Sequence, residues 1–345
     1  MTTTNTRYVD PNAEVGGDGT TNALTGEHCA YVSLAVWEAA RQGDLVSGDI
    51  IEKVICSSRD GLEAPHLIDA VHCTINGWTT DATRYISIEA ASSHGGKWND
   101  SVYRMVYTLG AEIAALSLIA QYINITGLQV CYGHLTKLQG VCILCYPGVG
   151  VITSHNFDKL VVRPITGTNV NVFGINMFYN HTAQVLNIRN SVIYDCRNTG
   201  STAGIGIEGG AAANILNVRN CTLHNCRIGV NNADLVENCG FASCTTPMQN
   251  VGSSITNSTV TPTFVDEAND DFHLAPSDVT WRGQGTDLSA EFTDDIDGET
   301  RPTGAGTWDI GCDEYVGGAA AVFYFGDRSG GLQNPFATGL TGGLR

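Results

Sequence analysis

The sequence predicts an all-β solenoid, a chain of short strands wound into stacked coils. Three observations point there. The first is an internal repeat: residues 185–197 return thirty residues later as 215–227. Leu186, Asn187, Arg189, Asn190, Cys196 and Arg197 come back as Leu216, Asn217, Arg219, Asn220, Cys226 and Arg227. A shorter copy covers 236–244, and a weaker echo covers 255–260. The second is the shared frame, in which an apolar residue is followed two places on by Asn and then by Cys or Ser. Such a unit is too short to bury an apolar face alone and gains a core only by stacking on its neighbours. The third is composition: 40 Gly and only 15% charged residues favour many tight turns over long helices, and 43% hydrophobic residues suffice for a core.

Residues 1–50 read as a lead-in and cap. Tyr8 and Val9 suit a strand, and 12–26 is a loop rich in Gly, Asn and Thr. Ser33 is placed to N-cap a short helix running to Gln42, with Gly43 as its stop. Leu34, Trp37 and Ala40 or Arg41 fall at helical spacing, which sets Trp37 over the open end of the solenoid core. Residues 51–262 form the coils. The runs 50–55, 85–88, 123–125, 160–162 and 170–172 are short, β-rich and separated by Gly, Asn and Asp. Residues 56–120 are the least regular part, and no long segment holds a 3.6-residue period. At 263–316 the chain turns acidic and leaves the regular coil. Residues 317–345 change again, with eight Gly in 29 positions and Phe323, Tyr324, Phe325 and Phe336 among them. A plain flexible tail is one reading. An arm that orders against another surface is preferred, because exposed Phe-Tyr-Phe is an aggregation hazard.

The net charge of −17 is unevenly placed. Residues 121–262 carry seven Lys/Arg and five Asp/Glu, whereas 263–316 carry two against fourteen, a net of −12. That pattern argues against nucleic acid, which requires a cationic surface. A solvated acidic cap is the simpler reading of the −12 segment; a calcium site or a dock for a basic partner is the alternative. Of the twelve Cys, Cys221, Cys226, Cys239 and Cys244 sit at repeat positions and should line the interior as small apolar fillers. Cys142 and Cys145 form a lone Cys-x2-Cys without the second pair a zinc ribbon needs. Buried free thiols indicate folding in a reducing compartment. Residues 1–7 show no apolar signal-peptide core, so synthesis in a host cytoplasm is expected. The most apolar stretch, 111–125, is too short and polar to span a bilayer.

Three segments together resemble the pectin-lyase-like, right-handed parallel β-helix superfamily. The first is the opening Arg7-Tyr8-Val9-Asp10-Pro11-Asn12 with Gly16-Gly17-Asp18-Gly19-Thr20 and Tyr31-Val32-Ser33-Leu34. The second is the set of Asn-Cys coils. The third is the closing Asp271-Phe272-His273-Leu274-Ala275-Pro276, Asp295-Ile296-Asp297-Gly298-Glu299-Thr300-Arg301-Pro302 and Trp308-Asp309-Ile310-Gly311-Cys312-Asp313-Glu314-Tyr315. The likeness covers roughly 7–316. It implies a right-handed single-stranded parallel β-helix with an N-terminal capping helix. It says little about function, because the scaffold serves lyases, hydrolases, adhesins and phage spikes alike.

Enzymes of that superfamily act on polysaccharides along the flank of the coil, and the resemblance implies either calcium-bound acids with a basic residue or several close Asp. Glycoside hydrolysis needs two facing carboxyl groups. The central coils offer Asp158, Asp195, Glu208, Asp234 and Glu237. Asp195 gives way to Asn225 in the next copy, so no acidic column forms; Asp195, Asp234 and Glu237 remain the candidate catalytic acids, with a solvated turn as the simpler reading. Arg189 and Arg219 share one repeat position, and Arg197 and Arg227 another. In-phase stacking makes two outer columns of Arg, suited to an anionic glycan or a partner's carboxylates, or serving only as surface decoration. Asp294, Asp295 and Asp297 beside Gly298 suggest calcium, though without EF-hand spacing, so a structural turn is preferred and no cofactor is required.

The expected function is a non-enzymatic structural or binding protein of a bacteriophage virion: a capsid decoration, fibre or spike subunit. It would assemble, as a trimer, through its C-terminal arm and contact other virion proteins, with a surface glycan as a further candidate partner, but neither nucleic acid nor membrane. The alternative is a polysaccharide lyase or glycoside hydrolase acting on a surface glycan.

Overall fold

The computed structural model describes residues 2–59, 67–108, 112–133, 139–146, 153–165, 171–178, 184–197, 204–210, 214–304 and 308–317. Residues 1–315 form one unit and 316–345 a second. The expected assembly residues Phe323, Tyr324, Phe325 and Phe336 lie outside the described residues.

Three parallel sheets of nine, six and seven strands run through the first unit. From Ile86 onward the strands visit the first, second and third sheet in turn and then return to the first sheet one rung on. This is the right-handed single-stranded parallel β-helix that the sequence led us to expect, and right-handed crossover is the rule for parallel strands. Among the described residues no helix is long and apolar enough to cross a membrane.

Period-2 alternation sends one set of side chains inward. Two inward columns show it on the first sheet. Val54, Ile88, Ile125, Phe157, Ile188, Val218 and Val236 are in register, and so are Ile86, Ile123, His155, Leu186 and Leu216. All twelve are essentially inaccessible to solvent. Neither column could be buried by one coil; each is covered by the rungs on either side. The thiols behave as the repeat predicts. Cys196, Cys221, Cys226 and Cys239 lie in the same core, all twelve cysteines are free, and only Cys244 is not fully buried. Burial pushes the thiols of Cys196, Cys221 and Cys226 up, well away from the thiolate form.

The repeated Asn of the Arg-Asn-Cys frame has a backbone cause. Asn190, Asn220 and Asn238 sit between the first and second sheets with φ of +47°, +45° and +52°. A left-handed residue turns the chain sharply there, and Asn tolerates that region better than other non-Gly residues. Asp195, Asn225 and Ser243 do the same after the second sheet, at φ +59°, +49° and +56°. The coils shorten along the chain. Ile123 pairs with His155, 32 residues on, and Asn187 with Asn217, 30 on; Asn217 then pairs with Leu235 and Leu235 with Ser253, 18 on in each case.

The lead-in is itself part of the coil. Thr3–Val9 pairs in parallel with Ile50–Cys56 and forms the edge of the first sheet. The capping helix spans Leu34–Arg41, and Ser33 Oγ accepts from the Val36 N–H at 3.2 Å as its N-cap. Trp37 is wholly buried and stacks on Trp78 with ring centroids 5.7 Å apart, so the expected cover of the core is present.

The closing segment departs from expectation. It is only in part a solvated acidic cap. Residues 264–304 and 308–315 lie back along the outer face of the second sheet, where Phe264, Phe272, Leu274, Trp281 and Ile310 pack on Val161, Val192, Tyr194 and Ala242. Six of its fourteen acids, Asp271, Asp278, Asp295, Asp309, Asp313 and Glu314, face inward and are buried. They hold backbone N–H groups that irregular chain would otherwise leave unsatisfied. Asp278 takes those of Thr263, Thr280 and Trp281, and Asp309 those of Gly283 and Tyr315. Burial pushes the carboxyl groups of Asp313 and Glu314 up to about 7. Arg301, also buried, pairs with Glu314 at 2.8 Å and donates to the carbonyls of Gly311 and Cys312.

Candidate functional site

The outer face of the first sheet carries a groove of about 550 Å³, floored by the sheet and walled on one side by Glu291 and Phe292 of the closing segment. Its floor follows from the register. Asn124, Asn156, Asn187 and Asn217 occupy the same position on four successive rungs. Their amides form one continuous ladder: Asn217 Nδ2 donates to Asn187 Oδ1 at 2.9 Å, Asn187 Nδ2 to Asn156 Oδ1 at 2.9 Å, and Asn156 Nδ2 to Asn124 Oδ1 at 2.8 Å. Rungs lie about 4.8 Å apart, so every amide can bond its neighbour and still present a second N–H and a second lone pair outward.

Two residues along each strand, a row of charges runs beside the ladder. In register these are Glu89, Asp158, Arg189, Arg219 and Glu237, with the uncharged Thr126 between the first two. The charges are mutually satisfied. Lys53 reaches Glu89 at 2.6 Å, Arg189 reaches Asp158 at 2.8 Å, and Arg219 reaches Glu237 at 3.4 Å and Glu291 at 3.3 Å across the groove. Arg189 also lies over the Phe292 ring, 5.1 Å from its centroid. Tyr85 and Ser87 complete the lining at the N-terminal end.

The two expected pairs of Arg stand in different places. Arg189 and Arg219 stand on adjacent rungs and line the groove. They do not offer free positive charge, because each is bound to carboxylates. Arg197 and Arg227 belong to a different place, the turn between the second and third sheets; Arg197 donates to Asn225 Oδ1 at 3.1 Å and Thr245 Oγ1 at 2.6 Å. The four residues do not make one binding surface.

The candidate catalytic acids do not converge. Asp195 sits in the left-handed turn after the second sheet and accepts from Asn225 Nδ2 at 2.7 Å. Asp234 lies in the turn entering the first sheet, where it accepts the Leu216 N–H at 2.9 Å. Glu237 is on the first sheet, paired with Arg219. Asp234 and Glu237 bracket one short rung of the first sheet, Asp195 lies in a turn elsewhere on the coil, and each is held by its own partner. Glu208, also in the central coils, is wholly buried and accepts from Asn231 and Asn232 at 2.8 Å each.

The calcium candidates are likewise engaged. Asp294 pairs with Lys159 at 2.7 Å. Asp295 spends Oδ1 on the N–H groups of Asp297 and Glu299 and Oδ2 on that of Glu314. Asp297 meets His273 Nε2 at 2.8 Å. Four of their six carboxylate oxygens are held this way and cannot be pooled on one calcium ion without breaking those bonds, and Asp297 Oδ1 alone is buried without a hydrogen-bond partner.

Sequence reasoning missed the amide ladder and the wall. Asn187 and Asn217 were visible as repeat positions, which was a usable signal; Asn124 and Asn156 lie in coils whose sequences do not repeat. Glu291 and Phe292 come from some hundred residues further along the chain, and no local pattern marks them.

No protein-family model and no curated protein matches the sequence. Among solved structures, the pectate lyase Pel9A is similar over 90% of this chain and 96% of its own, at 12% sequence identity and a TM-score of 0.35.

Proposed function

We propose that this protein is a non-enzymatic binding and structural subunit that holds an extended, uncharged, hydroxyl-rich glycan along the groove of the first sheet. The amide ladder carries the reading. It repeats a donor and an acceptor on every rung, at a spacing close to the length of one pyranose, so successive sugars meet the same chemistry. Phe292 offers an apolar edge to a sugar face. Hydroxyl groups can use both signs of the ion-pair row, whereas an anionic chain would have to displace Asp158, Glu237 and Glu291 from their Arg partners. Each groove carboxylate is gripped by a cation, which suits it to accept hydrogen bonds rather than to pass protons. Free buried thiols and the Gly-rich aromatic C-terminal segment fit a subunit that folds under reducing conditions and works in a larger particle such as a bacteriophage virion.

The test is a glycan array probed with the full chain and with Asn156→Ala/Asn187→Ala. The wild type should retain neutral glycans with little dependence on salt. The double variant should bind at least tenfold more weakly, as expected for losing about 1 kcal/mol or more of hydrogen bonding at each of two rungs. Retention of anionic glycans alone, with a steep salt dependence, contradicts the reading, as does the absence of any binding.

A further inference from the structure

We infer that the closing segment holds a divalent transition-metal ion, of the zinc class, between His273, Asp297 and Asp313. These residues come from three separate stretches: the strand Asp271–Leu274, the turn after Asp295, and the run before Tyr315. One ligand atom from each lies within 4.8 Å of the other two. Zinc bonds to imidazole nitrogen and carboxylate oxygen are about 2.0–2.2 Å, so a small inward movement of side chains closes the set.

The surroundings are those of a ligand set. His273 Nδ1 hydrogen-bonds Asp271, which leaves Nε2 as the atom facing Asp297. A carboxylate behind the far ring nitrogen is the usual means of orienting a metal-bound imidazole. Asp297 Oδ1 is buried with no hydrogen-bond partner, an uncommon state for a carboxylate oxygen. Asp313 is 5% exposed and spends Oδ2 on the Leu274 N–H. Four carboxylates, those of Asp271, Asp295, Asp297 and Asp313, gather here, while Lys97 is bound to Asp271 and Lys159 to Asp294. Gly96 closes over the cluster at φ +63°; a Cβ there would stand 2.4 Å from His273 Nε2 and 2.9 Å from Asp297 Oδ1.

A second, independent observation comes from the coil. His94 is 1% exposed, and its Nε2 lies 2.7 Å from the Lys159 carbonyl. Donating there puts the ring proton on Nε2 and leaves Nδ1 a bare lone pair. That Nδ1 is buried and unpartnered. His94 and Asp297 line the same cavity of about 190 Å³. An imidazole lone pair without a donor, on the wall of the same cavity as a residue whose carboxylate oxygen also lacks one, is a deficit that a cation fills. Imidazole nitrogen also selects against calcium and magnesium, which take oxygen ligands. The ion would tie the closing segment to the loop that carries His94 and Gly96.

The experiment is a titration of the chelator-treated full chain with Co2+, followed by visible absorption, then competition by Zn2+ and by Ca2+. One saturable site with a nitrogen-and-oxygen ligand field is expected, displaced by Zn2+ and not by Ca2+. Asp313→Asn and His273→Gln should weaken it at least tenfold, and Asp271→Asn about 10–100-fold while leaving the three ligands in place. His94→Gln, outside the closing segment, checks the effect in a chain whose cover is unaltered. Absence of saturable binding, a thiolate-to-cobalt charge-transfer band, or affinity unchanged in both Asp313→Asn and His273→Gln overturns the inference.

Discussion

Gly240→Ala tests how the closing segment is attached. Gly240 opens the second-sheet strand Gly240–Ala242, and its Cα faces the indole of Trp281. A Cβ built there lies 2.1, 2.2 and 2.5 Å from three ring atoms of Trp281. The backbone of Gly240 is not left-handed, so Ala fits the strand and the whole effect is steric. The ring cannot slide. Its Nε1 donates to the Val260 carbonyl at 2.8 Å, its backbone N–H is held by Asp278 at 2.9 Å, and Phe264 stands edge-on with centroids 5.7 Å apart. Two outcomes remain. If the ring stays, overpacking costs about 1–3 kcal/mol. If it is expelled, Trp281 loses its burial; some 150–250 Å² at about 25 cal/mol per Å² comes to about 4–6 kcal/mol. A loss of about 1–3 kcal/mol with the ring in place, or about 4–6 kcal/mol with it expelled, is therefore expected. Urea unfolding followed by tryptophan fluorescence measures it, because the emission of Trp281 shifts if the ring becomes solvated. A midpoint within about 0.5 kcal/mol of wild type would refute the claim that the segment is clamped on this face.

Two further outcomes follow from buried groups. Burial lowers the imidazole of wholly buried His155 from 6.5 to about 4, so the native state holds it neutral while the unfolded chain protonates it first. Its contribution is complete above pH 6.5 and is lost as pH falls towards 4; the gap corresponds to about 3 kcal/mol. His155→Leu, which matches Leu186 on the next rung, should gain about that much relative to wild type between pH 7 and pH 4, and parallel pH profiles of the two proteins would contradict this. Arg301→Met leaves Glu314 buried without its partner and should cost about 3–5 kcal/mol, with part recovered in Arg301→Met/Glu314→Leu; equal stability of wild type and single variant would show the pair to be dispensable.

The fold was legible because it is written locally and repeatedly. Asn190 and Asn220 recur since each turn between the first two sheets needs a left-handed residue, and Cys221, Cys226 and Cys239 recur since each inward position has the same small volume to fill. The capping helix was legible for the same local reason, with Ser33 at its start and Trp37 on its buried face. The groove was half legible. Arg189 and Arg219 stand out in the repeat, but their neutralisation by Asp158, Glu237 and Glu291 depends on register and on the path of the closing segment. That path was hidden, because its acids resemble a solvated surface in composition. Only the three-dimensional arrangement shows that Asp278, Asp295 and Asp309 serve buried backbone N–H groups. The proximity of His94 to Asp297 was hidden similarly, since some two hundred residues separate them.

The central claim is that the groove holds a glycan and leaves it whole. The direct measurement is to incubate the full chain with a neutral glycan that it retains, isolate the complex by size-exclusion chromatography, and determine the length of the released chain. Co-elution with an unshortened glycan is predicted. Shortened chains with new reducing or unsaturated ends, absent when Arg189 and Arg219 are both replaced by Ala, would contradict it and identify the groove as an active site.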